Sequence, residues 1–527
     1  MIPRTPRISC SRASLLLLCG LSSLLAFQGG CAITGSSSGS NGSMVSGGSA
    51  QVCIGCTAIP PETITQLKAQ GITEAALNQF FTVLGREKTP PDKLDHELRD
   101  IAKNYLDLKT KIAALLSEDP EGTAILQQAR QAVEAVDFSL AERLFNEASQ
   151  RDEQAAQHLQ EVATARLTSA AAAQAANGDL QRVQLNFVNA QAYYRKALRL
   201  LPLSDWEHRG QYLNSLGNSL REAGIRTKGA DIQQFLGEAV AAYHEALTVR
   251  TQEQLPQQWA ITQNNLGLVL WDQGTRTGGE AGMRLLAESV QAYRDALIVR
   301  TKERLPQDWA MTQNNLGSVL HHQGTRTGGE AGTRLLAEAV TAYHAALTVY
   351  TKDQLPQQWA GTQNNVGNVL REQGTRMAGE AGTHLLAEAV QAYRAALTVL
   401  SKEQTPQQWA MTQNNLGATL RDQGTRTDGE AGTCLLAESV TAYRAALTIY
   451  TKDQLPQQWA MTQNNLGTTL WDQGTRTGGE DGKELIHQAI NAYELALEVR
   501  TRDALPVQWE QTMSNIEIAT KALKEMK

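Results

Sequence analysis

The chain is expected to be all-α, a right-handed α-solenoid of antiparallel helix pairs, and two observations carry that expectation. The first is self-similarity. The string Gln-Asn-Asn-Leu-Gly begins at Gln263, Gln313, Gln413 and Gln463, and Gln363 opens the same string with Val366 in place of Leu, a period of 50 residues. Trp259, Trp309, Trp359, Trp409, Trp459 and Trp509 keep that spacing, as do Tyr243, Tyr293, Tyr343, Tyr393, Tyr443 and Tyr493. A fixed period of this size marks an array whose repeats pack on their neighbours. The second is composition: Ala, Leu, Gln, Glu and Thr dominate, aromatic residues make up 5%, and six of the 14 prolines recur at one place in the pattern. Such a chain favours helices, and an array grows by stacking without one large core, so length decides little about domain number.

The elements of one repeat follow from Pro256 to Leu305. Pro256 suits the first turn of a helix, where its missing N–H costs nothing, and Trp259, Gln263, Leu266 and Leu270 form the stripe of a helix A. Gly274 is expected just past its C-terminus, and Gly278, Gly279 and Gly282 predict a loop or a loosely wound helix start. Leu285, Leu286, Val290, Tyr293, Ala296, Leu297 and Val299 then form the face of a helix B. Small residues explain how the pair can cross tightly. Gly267, Ser289 and Ala296 recur as Gly317, Ala339 and Ala346, and again as Gly367, Ala389 and Ala396, with the tyrosines filling the space beside them.

These residues resemble tetratricopeptide repeats, which pair Leu-Gly on helix A with Ala, an aromatic and Ala on helix B. The resemblance is to an extended bacterial variant, because Gly267 to Ser289 spans 22 positions, ten more than the family spacing, which predicts a longer loop between the helices. It covers residues 205–508 as the 50-residue array. In 124–204 the helix-B spacing survives in degraded form through Ala141, Phe145 and Ala148, then Ala190, Tyr194 and Ala197. Residues 60–123 read as an N-terminal helical cap broken at Pro90-Pro91. Residues 509–527 read as a C-terminal capping helix, with Glu517 where the glycine should stand.

The first residues read as an address. Arg4, Arg7 and Arg12 precede an apolar run from Ser14 to Phe27 that suits a signal-peptide core, so 1–31 is expected to be a signal peptide. Gly29-Gly30-Cys31 resembles a bacterial lipoprotein box, with Gln28 where Leu is usual; lipidation at Cys31 and ordinary cleavage after Ala32 are the two readings. Both place the mature protein outside the cytoplasm, facing the periplasm or cell exterior, with the membrane reached only through an N-terminal lipid anchor. Residues 32–59, almost entirely Ser and Gly between Gly35 and Ala50, are expected to be a flexible tether. Cys53 and Cys56 could close a small disulfide or act as a thiol-disulfide redox pair; no His follows for haem attachment and no second pair for zinc.

No catalytic constellation stands out, and no metal or cofactor is expected. The recurring Gly-Thr-Arg-Thr-Gly-Gly-Glu at Gly274 to Glu280 lacks the Lys-Ser/Thr ending of a phosphate loop and reads as a turn. A net charge of −6 leaves no basic footprint for nucleic acid. The informative polar residues are asparagines: Asn264, Asn314, Asn364, Asn414 and Asn464, each followed by Asn265, Asn315, Asn365, Asn415 and Asn465. Asn is a poor helix-interior residue, so two per repeat call for a reason. A side-chain amide can donate to and accept from an extended backbone at once. The resemblance to kinesin-light-chain repeats, which use the second Asn in that way, implies a peptide-binding role for Asn265 and its equivalents; the alternative is that the amides tie helix A to the neighbouring repeat. Trp271, His321, Arg371, Arg421 and Trp471, with Leu268, Ser318, Asn368, Ala418 and Thr468, share that face and differ between repeats, as specificity positions would. The resemblance implies a scaffold for other proteins or extended peptide segments, not an enzyme. An accessory lipoprotein for envelope assembly or secretion and a redox protein using Cys53 and Cys56 are the alternatives.

Overall fold

The computed structural model of the chain describes residues 43–47, 50–54, 59–87, 89–90, 93–117, 119–156, 160–227, 229 and 231–526. The signal-peptide and Cys31 expectations lie outside them. Among the described residues are 20 helices and one hairpin, and the chain divides into two compact units, Met1–Val299 and Arg300–Lys527.

The hairpin lies within the segment expected to be a tether. Strands β1 (Ser43–Gly47) and β2 (Ala50–Ile54) pair antiparallel, with Val45 opposite Val52 and Met44 opposite Cys53. The β-branched residues Val45, Val52 and Ile54 favour strand backbone over coil, a local signal that the Ser and Gly content of the segment hides. Cys56, and with it the pairing of Cys53 and Cys56, lies outside the described residues.

In the first unit α1 (Pro61–Ala69), α2 (Glu74–Arg86) and α3 (Leu94–Ala113) precede α4 (Pro120–Glu134), α5 (Phe138–Ala156), α6 (Gln160–Val183), α7 (Phe187–Leu200), α8 (Trp206–Arg226), α9 (Asp231–Val249), α10 (Pro256–Arg276) and α11 (Gly279–Val299). The second holds α12 (Pro306–Arg326), α13 (Gly329–Leu347), α14 (Pro356–Arg376), α15 (Gly379–Leu397), α16 (Pro406–Arg426), α17 (Gly429–Leu447), α18 (Pro456–Thr477), α19 (Gly479–Leu497) and α20 (Pro506–Glu525). Helices A and B alternate through both. Each A helix from α10 onward starts with Pro in its first turn, as its sequence predicts.

Glycine and tyrosine set the crossing within each pair. A Cβ on Gly178, Gly217, Gly267, Gly317, Gly367, Gly417 or Gly467 would lie 2.7–3.1 Å from the ring of Tyr194, Tyr243, Tyr293, Tyr343, Tyr393, Tyr443 or Tyr493 respectively. That is inside van der Waals contact, so only glycine lets the buried ring seat. The same pair at Gly178 and Tyr194 makes α6 and α7 a true repeat of the array. The seam before them is unusual: Gln174 and Asn177 of α6 donate to Asn146 of α5 and Gln181 donates to Glu142. The regular repeats carry apolar residues at such a seam, as with Val440, Leu466 and Leu470 in one cluster.

The ten extra residues lengthen the helices, not the loop. In the repeat from Pro256, helix A has 21 residues, helix B has 21, and only Thr277 and Gly278 lie between. Gly274 is therefore inside its helix and does not cap it. It faces the start of helix B, where an added Cβ would meet Leu286 at 3.0 Å and the Gly282 carbonyl at 3.1 Å. The turn is made by Gly279, whose φ of +59° is costly for other residues. At the far end α20 carries exposed Glu510, Glu517 and Lys524 where α18 has Ala460, Gly467 and Gly474.

Candidate polypeptide-binding face

The A helices present a stripe spaced four, three and four residues apart, which one helix face collects. In α18 it runs through Met461, Asn465, Thr468 and Asp472. We call it the A-face. Its first position carries apolar side chains left in solvent: Ile261, Met311, Met411 and Met461 are 37–42% exposed.

The two asparagines of each pair have different surroundings. The first is buried at Asn264, Asn364, Asn414 and Asn464, 3–7% exposed. Its Oδ1 accepts from the next A helix. Thr362 Oγ1 donates to Asn314 at 3.2 Å, and Thr412, Thr462 and Thr512 donate to Asn364, Asn414 and Asn464, each at 3.1 Å. The same register joins Thr262 to Asn214 in the first unit at 3.3 Å. The first asparagine is thus a seam residue, which the sequence offered as its alternative role. The second is half-buried and reaches the seam with its donor only: Asn265 Nδ2 donates to Asn214 at 3.3 Å, Asn365 to Asn314 at 3.4 Å and Asn415 to Asn368 at 3.1 Å. Sequence reasoning missed the threonines; a Thr two residues before each Asn pair was the available signal.

The variable positions are also partly engaged. Tyr243 and Tyr393 hydroxyls donate to Asn218 and Asn368 at 2.7 Å, Tyr343 to Ser318 at 3.0 Å and Tyr493 to Thr468 at 3.2 Å. Where Leu268 stands instead, the buried Tyr293 hydroxyl has no partner. Burial pushes the Tyr493 hydroxyl up to about 12, so these hydroxyls stay neutral donors. This position receives a tyrosine hydroxyl, which accounts for Asn, Ser and Thr recurring there.

Arg371 Nε donates to Asp422 at 2.7 Å and Arg421 Nε to Asp472 at 2.5 Å, a cross-helix ladder matched by Arg221 and Asp272 in the first unit at 2.6 Å. Burial works against the Arg371 charge, but Asp422 overcomes it and its pKa is raised. The Nη groups of Arg371 and Arg421 have no acceptor among the described residues, and the side chains are 40% and 32% exposed. They line a cleft of about 520 Å³ with Asn415, Asn465, Met461 and Asn515. A second cleft of about 270 Å³ is lined by Asn365, Gln358, Gln408 and Met411. His321 takes the arginine position opposite Glu372, and burial lowers it to about 4, so it is neutral at pH 7.

The Gly-Thr-Arg-Thr-Gly-Gly-Glu segment has a use that spacing alone did not reveal. Arg426 Nη1 donates to the Gly374 carbonyl at 2.7 Å and to Met377 at 2.9 Å, and Nη2 to Thr375 at 3.0 Å. Arg376 and Arg476 repeat this on Gly324 and Gly424 at 2.9 and 2.8 Å. Each arginine closes the carbonyl end of the preceding A helix, whose last carbonyls have no partner in their own helix. Cys434 is an exposed free thiol. Among the described residues no group of three metal-ligating side chains converges, and no helix is long and apolar enough to cross a membrane.

No family model matches the chain, and no curated protein does. Among solved structures it is similar to the apo form of RapI, at TM-score 0.38 and 11% identity over 77% of this chain and 98% of that one. It is also similar to the APC/C hetero-tetramer Cut9-Hcn1, at 0.34 and 14% over 97% and 96%, and to yeast Tom70, at 0.32 and 12% over 88% and 80%. The assignment therefore rests on the chain's own helix pairing, the recurrent glycine under tyrosine and the 50-residue register: this is a tetratricopeptide-like helical repeat fold.

Proposed function

We propose that the chain is a non-enzymatic scaffold that holds partner polypeptides along the A-face. The observation that carries this is the state of that face. Exposed Met311, Met411 and Met461 recur beside half-exposed Asn315, Asn415 and Asn465 on helices whose first asparagines and threonines are engaged in the seams. A repeated apolar side chain in solvent, next to an amide with spare hydrogen-bonding capacity, suits contact with protein better than solvation alone, and methionine adapts to irregular partners. The finer reading gives the second asparagines, Asn265, Asn315, Asn365, Asn415 and Asn465, the direct contacts, with the first asparagines supporting them from the seam. Arg4, Arg7, Arg12, the apolar run to Phe27 and Cys31 support a reading of export and a lipid anchor, with the scaffold outside the cytoplasm.

The test uses Asn365→Ala, Asn415→Ala and Asn465→Ala together, against a partner captured by crosslinking from intact envelopes. A net contribution of about 1 kcal/mol per amide predicts roughly a hundredfold loss of affinity in the triple variant. Unchanged affinity would remove the second asparagines from the contact.

A further inference from the structure

We propose that the A-face of the second unit takes an amphipathic α-helix bearing a carboxylate edge. This rests on the scaffold reading and names the class of its ligand.

The first unit already shows an amphipathic helix on this face, supplied by the chain itself, with Glu97, Asn104 and Lys111 as its polar edge. Helix α3 lies on the A-face of α6. Lys111 Nζ pairs with Asp179 at 2.9 Å, and Arg182 Nη2 donates to Asn104 at 3.2 Å. Asp179 follows Gly178 as Asn368 follows Gly367, and it accepts from the Tyr194 hydroxyl as Asn368 accepts from Tyr393. Arg182 stands at the Arg371 position by the same count. Further along, Arg226 Nη2 donates to both oxygens of Glu97 at 2.9 and 2.8 Å. Beneath α3, Leu98, Ile101, Ala102, Tyr105, Leu108 and Ile112 share a buried cluster with Ala176 and Val183. Ala176 and Val183 occupy the positions of Asn365 and Glu372 in α14. The face that is small and apolar under α3 is thus open and polar in the later repeats.

Two features of the second unit favour a helix over an extended segment. An extended backbone offers unpaired N–H and C=O groups and would need an amide able to donate and accept freely. The first asparagines have their acceptors engaged by Thr362, Thr412 and Thr462, and Asn365 and Asn415 each commit one N–H to the seam while keeping Oδ1 free, so few paired donors and acceptors face an extended backbone. A helix satisfies its own backbone and asks only for side-chain contacts, which Met411 and Met461 supply. The unspent groups are then donors, the Nη atoms of Arg371 and Arg421 in the 520 Å³ cleft. Donors without acceptors select carboxylates, as Arg226 does with Glu97. Packed helices lie about 8–10 Å apart and a helix rises about 1.5 Å per residue, so the two arginines would read acidic residues roughly one heptad apart.

Two display libraries test this on the whole chain. One holds Ala- and Leu-rich helices with paired glutamates a heptad apart; the other has the same composition interrupted by proline. The expected result is binders from the helical library that lose at least about tenfold in affinity in the Arg371→Gln, Arg421→Gln double variant and also in Met461→Glu, which leaves both ion pairs intact. Proline-interrupted binders weakened by Met461→Glu would overturn the helix and leave the scaffold reading standing. Binders from neither library that respond to Met461→Glu would overturn both.

Discussion

Replacing the first asparagines and the second asparagines separates the two roles that one sequence motif combines. Consider Asn314→Ala, Asn364→Ala and Asn414→Ala in one chain. The changes remove acceptors for Thr362, Thr412 and Thr462 at 3.2, 3.1 and 3.1 Å and for Asn365 at 3.4 Å. No threonine is orphaned, since each hydroxyl also lies 2.8–2.9 Å from a carbonyl of its own helix, at Gln358, Gln408 and Gln458. Each hydroxyl has one proton shared between its two acceptors, so the loss is that of three shared bonds, one amide bond and the packing of three side chains cut back to alanine, about 4 kcal/mol in all. Alanine returns about 0.6 kcal/mol of helix propensity at each site, leaving about 2 kcal/mol of destabilisation. For a unit of this size that is a fall in Tm of roughly 4–8 °C. The second-asparagine triple, Asn365→Ala, Asn415→Ala and Asn465→Ala, loses two such bonds and gains the same propensity, so its Tm should stay near that of the parent. Thermal and urea unfolding followed by far-ultraviolet circular dichroism read both. A first-asparagine variant as stable as the parent would refute the seam assignment.

Other expectations follow from the same contacts. Gly367→Ala forces a Cβ to 2.7 Å from the Tyr393 ring and should cost about 2 kcal/mol in urea unfolding, whereas Gly361→Ala, with nothing within 4 Å, should gain about 0.5–1 kcal/mol. Arg426→Ala opens the carbonyl end of α14 and should cost about 2 kcal/mol; lysine should not restore it, because one ammonium cannot match the planar fork that reaches three carbonyls. His321, lowered to about 4 by burial and then by His322, makes stability pH-dependent. The unfolded imidazole binds its proton first, so the contribution is whole above about pH 6.5 and is lost as pH falls toward 4. Melting curves of the parent and of His321→Gln should converge across that window relative to neutral pH; a parallel fall in both would assign the acid sensitivity elsewhere.

The fold was legible wherever one residue had one job. Tyr393 and Gly367 recur because a ring must sit on a bare backbone, and that pairing is visible in spacing alone. The linker was misread because glycine has two uses. Gly274 and Gly282 serve close approach inside helices, while Gly279 alone needs a positive φ, and a sequence shows only that all three are glycine. The site was half legible for a similar reason. Asn364 and Asn365 are adjacent and alike, yet helical geometry turns one toward the seam and leaves the other half-exposed. Arg426 escaped notice because its partners are carbonyls of the preceding repeat, which leave no trace in side-chain spacing. The hairpin at Ser43–Gly47 and Ala50–Ile54 was hidden by serine and glycine that dominate composition without forbidding a strand.

The claim that the A-face holds partner polypeptide is tested most directly by where a partner touches the chain. A photoreactive residue at Met411 or Met461, exposed on that face, is compared with one at Cys434, exposed on a B helix. Irradiated in intact cells, the account predicts that the same partner is captured at both A-face positions, not at position 434, and that the second-asparagine triple variant removes the adducts. Capture at position 434 with none at 411 or 461 would contradict it.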